Sequence, residues 1–202
     1  DDALPGTRTN GLKSLPDEIG NLKNLQTFFI ANGDIKELPA TMANLTSITD
    51  MEGYNCHEMT GAPMVLAQMP NLTSLNLSAN PQWTDVDEGL RAMSEGPAGQ
   101  SLQILYMNEC SLTLLPKELN NMKKLGLLSV ASNKISKIES AYPDIAFTQL
   151  YLDNNQITDI TPLADMKELG ILHLGGNRLK EINTLSGLTK LEVLTLYSDG
   201  IS

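Results

Sequence analysis

Four consecutive residues, Cys56, His57, Glu58 and Met59, offer the most reactive chemistry in the sequence. Thiolate, imidazole and carboxylate groups are all ligands that zinc accepts. A thiol beside an imidazole can also act as an activated nucleophile. The stretch therefore raises two candidate chemistries, a metal centre and a cysteine nucleophile, and the elements that position these residues must decide between them.

The charge of the chain narrows the classes of partner. The 202 residues include 14 Lys and Arg against 24 Asp and Glu, which gives a formal net charge of −10. Binding to nucleic acid depends on cationic side chains that neutralise phosphates, so a nucleic-acid partner is disfavoured, as is an anionic membrane surface. No apolar run approaches the ~18 residues of a transmembrane helix, so we expect no membrane insertion. The opening segment DDALPGTRTN has no signal-peptide pattern, which leaves either a cytosolic protein or one whose signal has been removed.

Residues around Cys56 belong to a repeated template, LxxLxLxxN. Clear copies are LTSLNLSAN (72–80), LGLLSVASN (125–133) and LGILHLGGN (169–177). The linking segments also repeat, because Leu-Pro is followed by apolar residues three and six positions after the proline in 12–25, 35–48 and 112–125. Copies of the template begin at residues 25, 48, 72, 102, 125, 147, 169 and 191.

This template resembles that of the leucine-rich-repeat family, LxxLxLxxNxL, over nearly the whole chain. The early 23-residue units carry the Leu-Pro segment, and the later 22-residue units are similar to those of bacterial internalins, with the change near residue 135. The resemblance implies an α/β fold, a right-handed solenoid with a curved parallel sheet on its concave face. Short helices, 3-10 turns and loops would form the convex face. We expect a single domain over 1–202, with a partial first unit at 1–24.

Elementary packing leads to the same architecture. Alternation along a strand places template positions 4 and 6 on one face and positions 3, 5 and 7 on the other. One unit cannot bury its own apolar face, so neighbouring units must stack. Strands lie ~4.8 Å apart, whereas the return segments are bulkier, so the sheet must curve.

Position 9 of the template explains the two cysteines. The resemblance implies that this residue points inward, where an Asn amide donates to and accepts from backbone groups, and where cysteine is a tolerated substitute. Cys56 and Cys110 lie two units apart, roughly 10 Å by strand spacing, which exceeds the ~7 Å limit for a disulfide. We therefore expect two buried structural thiols and no catalytic residue, metal site or cofactor. The predicted ladder is Cys56, Asn80, Cys110, Asn133, Asn155 and Asn177, with Gly33 and Asp199 in the same slot.

The outward rows of the strands hold the candidate contact residues. Four of the five tyrosines lie at positions 5 and 7. Outward positions 3, 5 and 7, together with positions 2 and 8 at the strand ends, contain no Lys or Arg. Strand propensity alone favours Tyr, but it does not explain the lack of basic residues. Tyrosine supplies contact area and a polar group at low entropic cost. The predicted ligand-binding residues are Phe29, Glu52, Tyr54, Tyr106, Tyr151, Asp153, His173 and Tyr197.

The 30-residue step between units marks an insertion within 84–101. Apolar Val86, Leu90 and Met93 follow helical spacing after acidic residues and before a Gly-Pro stop, which predicts a helix over about 85–95. Trp83 and Met59 occupy equivalent positions after the Asn slot, so both are expected in the core.

The sequence predicts a non-enzymatic module that binds a protein or peptide on its concave face. Glycan binding is an alternative because tyrosines along a groove can stack on sugar rings, and a passive spacer or the regulatory arm of an enzyme are others. The internalin resemblance implies a bacterial surface or secreted recognition protein. Incomplete units at both ends favour a piece of a longer chain.

Overall fold

Ten short strands form the two parallel sheets of the computed structural model, which describes residues 11–197. Eight strands make the main sheet in the order β1-β2-β3-β4-β6-β8-β9-β10, and β5 pairs with β7 in a separate two-stranded sheet. This topology confirms the predicted leucine-rich-repeat solenoid. The strands are β1 (Thr27–Phe29), β2 (Asp50–Glu52), β3 (Ser74–Asn76), β4 (Ile104–Tyr106), β5 (Leu114–Leu115), β6 (Leu127–Ser129), β7 (Lys137–Ile138), β8 (Gln149–Tyr151), β9 (Ile171–His173) and β10 (Val193–Thr195).

Each main-sheet strand covers template positions 3 to 5, and the register of the sheet follows the template. Phe28 pairs with Met51, Met51 with Leu75, and the row continues without slippage to Leu194. The position-4 side chains from Met51 to Leu172 are buried in one continuous core. A slip of one residue would expose this row, so burial fixes the register.

Return segments on the convex side are mostly 3-10 helices. Pro16, Pro39, Pro63 and Pro116 each precede one of them, which suits a residue with fixed φ that begins a helical turn. The 3-10 helices are η1 (Asp17–Asn21), η2 (Ala40–Asn44), η3 (Met64–Gln68), η4 (Pro97–Gln100), η5 (Lys117–Asn121), η6 (Thr161–Leu163) and η7 (Asn183–Gly187).

The insertion forms helix α1 (Val86–Glu95), within the range expected from the sequence. Asp85 occupies the N-cap position of α1 but makes no side-chain capping bond. Asp85 Oδ1 instead accepts the Ala62 N–H at 2.7 Å, and Asp87 Oδ1 accepts the Thr113 N–H at 2.9 Å. These carboxylates attach the helix to the units before and after it.

Arg91 on α1 joins the insertion to the next two return segments. Its guanidinium lies 2.6 Å from Glu118 Oε2 and 3.0 Å from Glu139 Oε2. The hydrogen bond from Arg91 is the main cause that lowers the pKa of Glu139, and the same bond raises the pKa of Arg91. The cluster stands where the repeat class changes, and we refer to Arg91, Glu118 and Glu139 as the Arg91 clamp.

Candidate ligand-binding face

The Asn/Cys ladder holds the ends of the strands beneath the concave face. Asn133 Nδ2 donates to the carbonyls of Met107 and Val130 at 2.8 Å each, and its Oδ1 accepts the N–H groups of Cys110 and Leu112. One amide thus satisfies four backbone groups across two units. Similar amide bonds are made by Asn80, Asn155 and Asn177.

Both cysteines occupy ladder positions as neutral thiols. Cys110 Sγ donates to the Leu77 carbonyl at 3.0 Å, and Cys56 Sγ lies 3.7 Å from the Ile30 carbonyl. Both are free and buried, and loss of solvation is the main cause that raises the pKa of Cys56 and raises that of Cys110 to about 12. A thiol with so high a pKa is a poor nucleophile at neutral pH.

His57 and Glu58 lie on the surface, while Met59 is in the core. The His57 ring contacts Asn55 Oδ1 at 3.4 Å and Asp34 Oδ1 at 3.8 Å, away from the buried Cys56 thiol. Within residues 11–197 no group of three or more His, Cys, Asp or Glu could hold a metal ion. The four residues from Cys56 to Met59 therefore do not converge on one site: the thiol is in the ladder, Met59 is in the core, and His57 and Glu58 are on the surface.

Position 8 is the turn by which each described unit leaves its strand. The residues there have left-handed φ between 50° and 74° in all seven units, although only one of them is glycine. Asn and Gly adopt this conformation at low cost, but Ala79, Glu109 and Ser132 do not. Asparagine supplies an extra bond, because Asn55 Nδ2 donates to Asn32 Oδ1 at 2.6 Å. Sequence reasoning missed this turn, although three asparagines and a glycine in one slot signal it.

Five side chains cluster on the C-terminal half of the concave face. We call this cluster the C-terminal patch (Tyr151, Asp153, His173, Thr195 and Tyr197). The rings of Tyr151 and His173 have centroids 4.8 Å apart and are tilted by 50°. Asp153 Oδ2 lies 3.5 Å from His173 Nδ1, and its Oδ1 accepts hydrogen bonds from Thr195 at 3.3 Å and Tyr197 at 3.4 Å. Asp153 is only 8% exposed, so it serves as the shared acceptor beneath the patch.

Gly175 explains where the Tyr197 ring lies. A Cβ at residue 175 would clash with three atoms of that ring, so the ring rests directly on the glycine. The ring is nevertheless exposed, with 52% of Tyr197 accessible. An exposed ring that rests on backbone presents a flat apolar surface of the kind that interfaces use.

A second feature of the concave face is a cavity of about 190 Å³ in its N-terminal half. Phe29 and Tyr106 lie at its two ends, and Glu52 lies between them on the same row. Tyr54 is half-buried at position 7 and does not line this cavity. The predicted contact residues therefore divide into two groups, one at each half of the sheet.

An apolar row at position 3 was missed by sequence reasoning. Ile104, Leu127, Ile171 and Val193 point to the concave side and keep part of their surface accessible. Alternation already predicts that position 3 faces outward, but the predicted contact residues all lie at positions 5 and 7, so its aliphatic side chains are not counted among them. Together with the aromatic row at position 5, it makes the C-terminal half of the face amphipathic.

The polar groups of Asn108 and Ser129, in the middle of the face, are already engaged. Asn108 Oδ1 accepts the Ser129 hydroxyl at 2.7 Å and the Ala131 N–H at 2.8 Å. The His173 to Asp153 distance exceeds the ~3.2 Å expected of an aligned general base. Ser129 and both thiols are committed to internal hydrogen bonds, so the arrangement suits binding better than nucleophilic chemistry.

No helix in the part of the chain from residue 11 to residue 197 has the length and apolarity to cross a membrane.

Comparisons with known proteins give a consistent result. Sequence models described as "Leucine Rich repeats (2 copies)" and "Leucine Rich Repeat" match residues 148–187 and 101–122. The chain is 26% identical over 184 residues to the Arabidopsis thaliana protein phosphatase 1 regulatory inhibitor subunit PPP1R7 homolog. That match covers 89% of the chain but only 53% of the relative, so the chain spans about half the length of that protein.

Two bacterial structures have the same architecture. Internalin C2 from Listeria monocytogenes is 26% identical with a TM-score of 0.71, and the match covers 93% of this chain and 77% of that one. A leucine-rich repeat protein from Bacteroides thetaiotaomicron is 29% identical with a TM-score of 0.72, and the match covers 89% of this chain and 25% of that one.

Proposed function

The chain belongs to the leucine-rich-repeat family, and from that premise we propose that it is a non-enzymatic recognition module whose concave face binds a protein or peptide. The single observation that carries the proposal is the amphipathic C-terminal half of the face. Aromatic side chains of one strand row stand beside partly exposed aliphatic side chains of another. Clustered aromatics with apolar neighbours are the groups that dominate protein interfaces.

The charge of the face supports a selective surface. The outward strand positions carry acidic residues but no Lys or Arg. A surface of one sign rejects ligands of the same sign and accelerates encounter with ligands of the opposite sign. We infer a partner that is neutral or basic where it meets the sheet.

Glycan binding is the second candidate, and the C-terminal patch is the observation that favours it. The Tyr197 ring is 52% exposed and rests on Gly175, so a sugar ring could stack on its open face. Protein or peptide binding is favoured because the aliphatic row beside the patch offers nothing to sugar hydroxyl groups.

The setting of the protein is also a proposal. Similarity to internalin C2 and to the Bacteroides protein supports a bacterial surface or secreted recognition protein. Similarity to a phosphatase regulatory subunit supports instead a binding module that acts on an enzyme. Both settings use the chain as a recognition surface within a larger protein.

A binding selection with matched variants tests the proposed function. The intact chain is panned against a phage-displayed random peptide library and applied to a glycan array. The selected binders are then measured against Tyr106→Ala/Tyr151→Ala/Tyr197→Ala, and against a convex control with Lys123→Ala and Glu168→Ala.

We expect peptide binders whose affinity falls at least tenfold in the tyrosine variant and is unchanged in the convex control. Thermal melting checks that both variants remain folded. Peptide binding that survives in the tyrosine variant would refute the concave-face proposal. Tyrosine-dependent signals on the glycan array alone would favour the sugar candidate.

A further inference from the structure

We propose that the cavity between Phe29 and Tyr106 is a subsite for one arginine side chain of the concave-face ligand. The inference rests on the proposed function and deepens it, because it names the chemistry of one anchor residue of the partner. It concerns the N-terminal half of the face, which the C-terminal patch does not reach.

The cavity is lined by the position-5 row of the sheet and by Thr27, Asp50 and Ser74 of the position-3 row beside it. Phe29, Glu52, Asn76 and Tyr106 are paired in succession across β1 to β4 at template position 5. Phe29 and Tyr106 are three strands apart, roughly 14 Å between Cα atoms at ~4.8 Å per strand. The two rings therefore bracket a gap that also holds the Glu52 and Asp50 carboxylates and the Asn76 amide.

The Glu52 carboxylate has no partner in the protein. Among residues 11–197, no hydrogen bond or ion pair engages its side chain, although the residue is partly buried. Nearby Asp50 accepts one hydrogen bond, from the Thr49 hydroxyl at 2.7 Å. The buried acid of the C-terminal patch, Asp153, has three partners instead. A half-buried carboxylate without a partner has lost part of its hydration, and a bound cation would offset that cost in free energy.

Aromatic walls distinguish this cavity from a plain acidic surface. Phe29 is 63% exposed, which is unusual for phenylalanine, and its ring faces a gap with a carboxylate beside it. A cation that lies over an aromatic face is attracted by the ring electrons. The combination of ring and carboxylate is chemically complementary to a cationic side chain.

Arginine fits this combination better than lysine or a sugar. A planar guanidinium can stack on a ring and form paired hydrogen bonds with one carboxylate, whereas an ammonium is a compact point charge. The volume of about 190 Å³ is below the roughly 300 Å³ at which small-molecule sites begin, so it suits a single side chain.

The test uses the arginine side chain alone as a probe. The ¹⁵N-labelled chain is titrated at low salt with N-acetyl-arginine amide and with N-acetyl-citrulline amide, a neutral isostere. N-acetyl-lysine amide and methyl glucoside are titrated in parallel. We expect the arginine probe to shift the amide signals of residues 29, 52, 76 and 106, and the citrulline probe to bind about fivefold more weakly.

Variants assign the effect to the cavity. Glu52→Gln should weaken the arginine probe about fivefold, and Glu192→Gln, an exposed acid on the same face outside the cavity, should leave it unchanged. Equal binding of arginine and citrulline, or an arginine probe insensitive to Glu52→Gln, would overturn the proposal. A glucoside that shifts these signals while arginine does not would identify a sugar subsite instead.

The outcome is separable from the proposed function. If the arginine probe fails while a Tyr151→Ala/Tyr197→Ala variant, which leaves Tyr106 in place, still loses the selected peptides, only the subsite is refuted. If the selected peptides bind the tyrosine variant as well as the intact chain, the proposed concave-face function is refuted, whatever the arginine titration shows.

Discussion

Removal of the Asn133 amide should cost more stability than any other single polar truncation in the centre of the solenoid. The amide donates to two buried carbonyls and accepts from two buried N–H groups, at distances from 2.8 to 3.0 Å. Each intramolecular bond contributes about 1 kcal/mol net, and four such bonds would be lost. Only the Val130 carbonyl would keep a partner, because Asn155 Nδ2 also donates to it at 3.0 Å. We therefore expect Asn133→Ala to lower the free energy of unfolding by about 4 kcal/mol.

Cysteine at the same position gives an internal comparison. Cys110 already fills the equivalent slot, where its thiol donates to the Leu77 carbonyl but provides no strong acceptor. Asn133→Cys should therefore recover part of the loss and cost about 2 kcal/mol. Asn121→Ala, at an exposed asparagine of η5, is the matched control and should change stability by less than about 0.5 kcal/mol.

Guanidinium unfolding followed by far-UV circular dichroism measures the three variants. The predicted order of stability is wild type, then Asn133→Cys, then Asn133→Ala. A loss below about 1 kcal/mol for Asn133→Ala would show that water or relaxation replaces the ladder bonds. Equal losses for Ala and Cys would refute the role assigned to the thiol as a substitute donor.

Three further predictions follow from the packing and the titrating groups. Gly175→Ala should destabilise the chain by about 1–3 kcal/mol and change the tyrosine fluorescence, because the new Cβ would force the Tyr197 ring away. The control Gly126→Ala, whose new Cβ meets only ordinary contacts, should leave the tyrosine fluorescence unchanged. Because the pKa of Glu139 is lowered in the folded state, its contribution to stability is present above the unfolded pKa of ~4.3 and is lost as pH falls through the folded value. The difference in unfolding free energy between wild type and Glu139→Gln, measured by urea unfolding, should therefore shrink in acid. A difference that stays constant with pH would contradict the pairing of Glu139 with Arg91. At pH 8 a Cys110 pKa of about 12 leaves roughly one thiolate in ten thousand, and both cysteines are buried. Neither cysteine should therefore react with a thiol reagent in the folded chain, whereas both should react in 6 M guanidinium. Rapid reaction of the folded protein would contradict the ladder assignment.

The fold was largely predictable because its signal is repeated. The position of a single Leu says little, but eight copies of the template in phase determine which residues alternate toward the core. The register from Phe28 to Leu194 and the burial of Met59 and Trp83 follow directly from that phase. Helix α1 was also predictable, because its apolar residues follow helical spacing.

The details of the site were less accessible, because they depend on contacts between units. Asp85 looks like a helix cap in the sequence, yet its carboxylate accepts from Ala62, 23 residues earlier. Asp153 occupies an outward position, yet His173, Thr195 and Tyr197 from the following units cover it. A template identifies the face on which a side chain lies, but not which neighbour covers it.

The cavity near Phe29 also depends on contacts between units that the template does not specify. Phe29 and Glu52 were identified as outward residues, but their proximity across paired strands and the gap before Tyr106 emerge only in three dimensions. The apolar row at position 3 was predicted to face outward, but the predicted contact residues lie at positions 5 and 7, so the row was not recognised as part of the surface. Its exposure follows from the register alone.

The Arg91 clamp has a consequence for how the chain would respond to mechanical force. A solenoid pulled from its two ends should lose its units one after another, because each unit is held mainly by its immediate neighbours. Arg91 reaches Glu118, 27 residues away in the chain, and Glu139, 48 residues away. In an optical trap, the central units should therefore detach together as one large extension step, after smaller steps from the ends, and Arg91→Met should divide that step into single-unit increments.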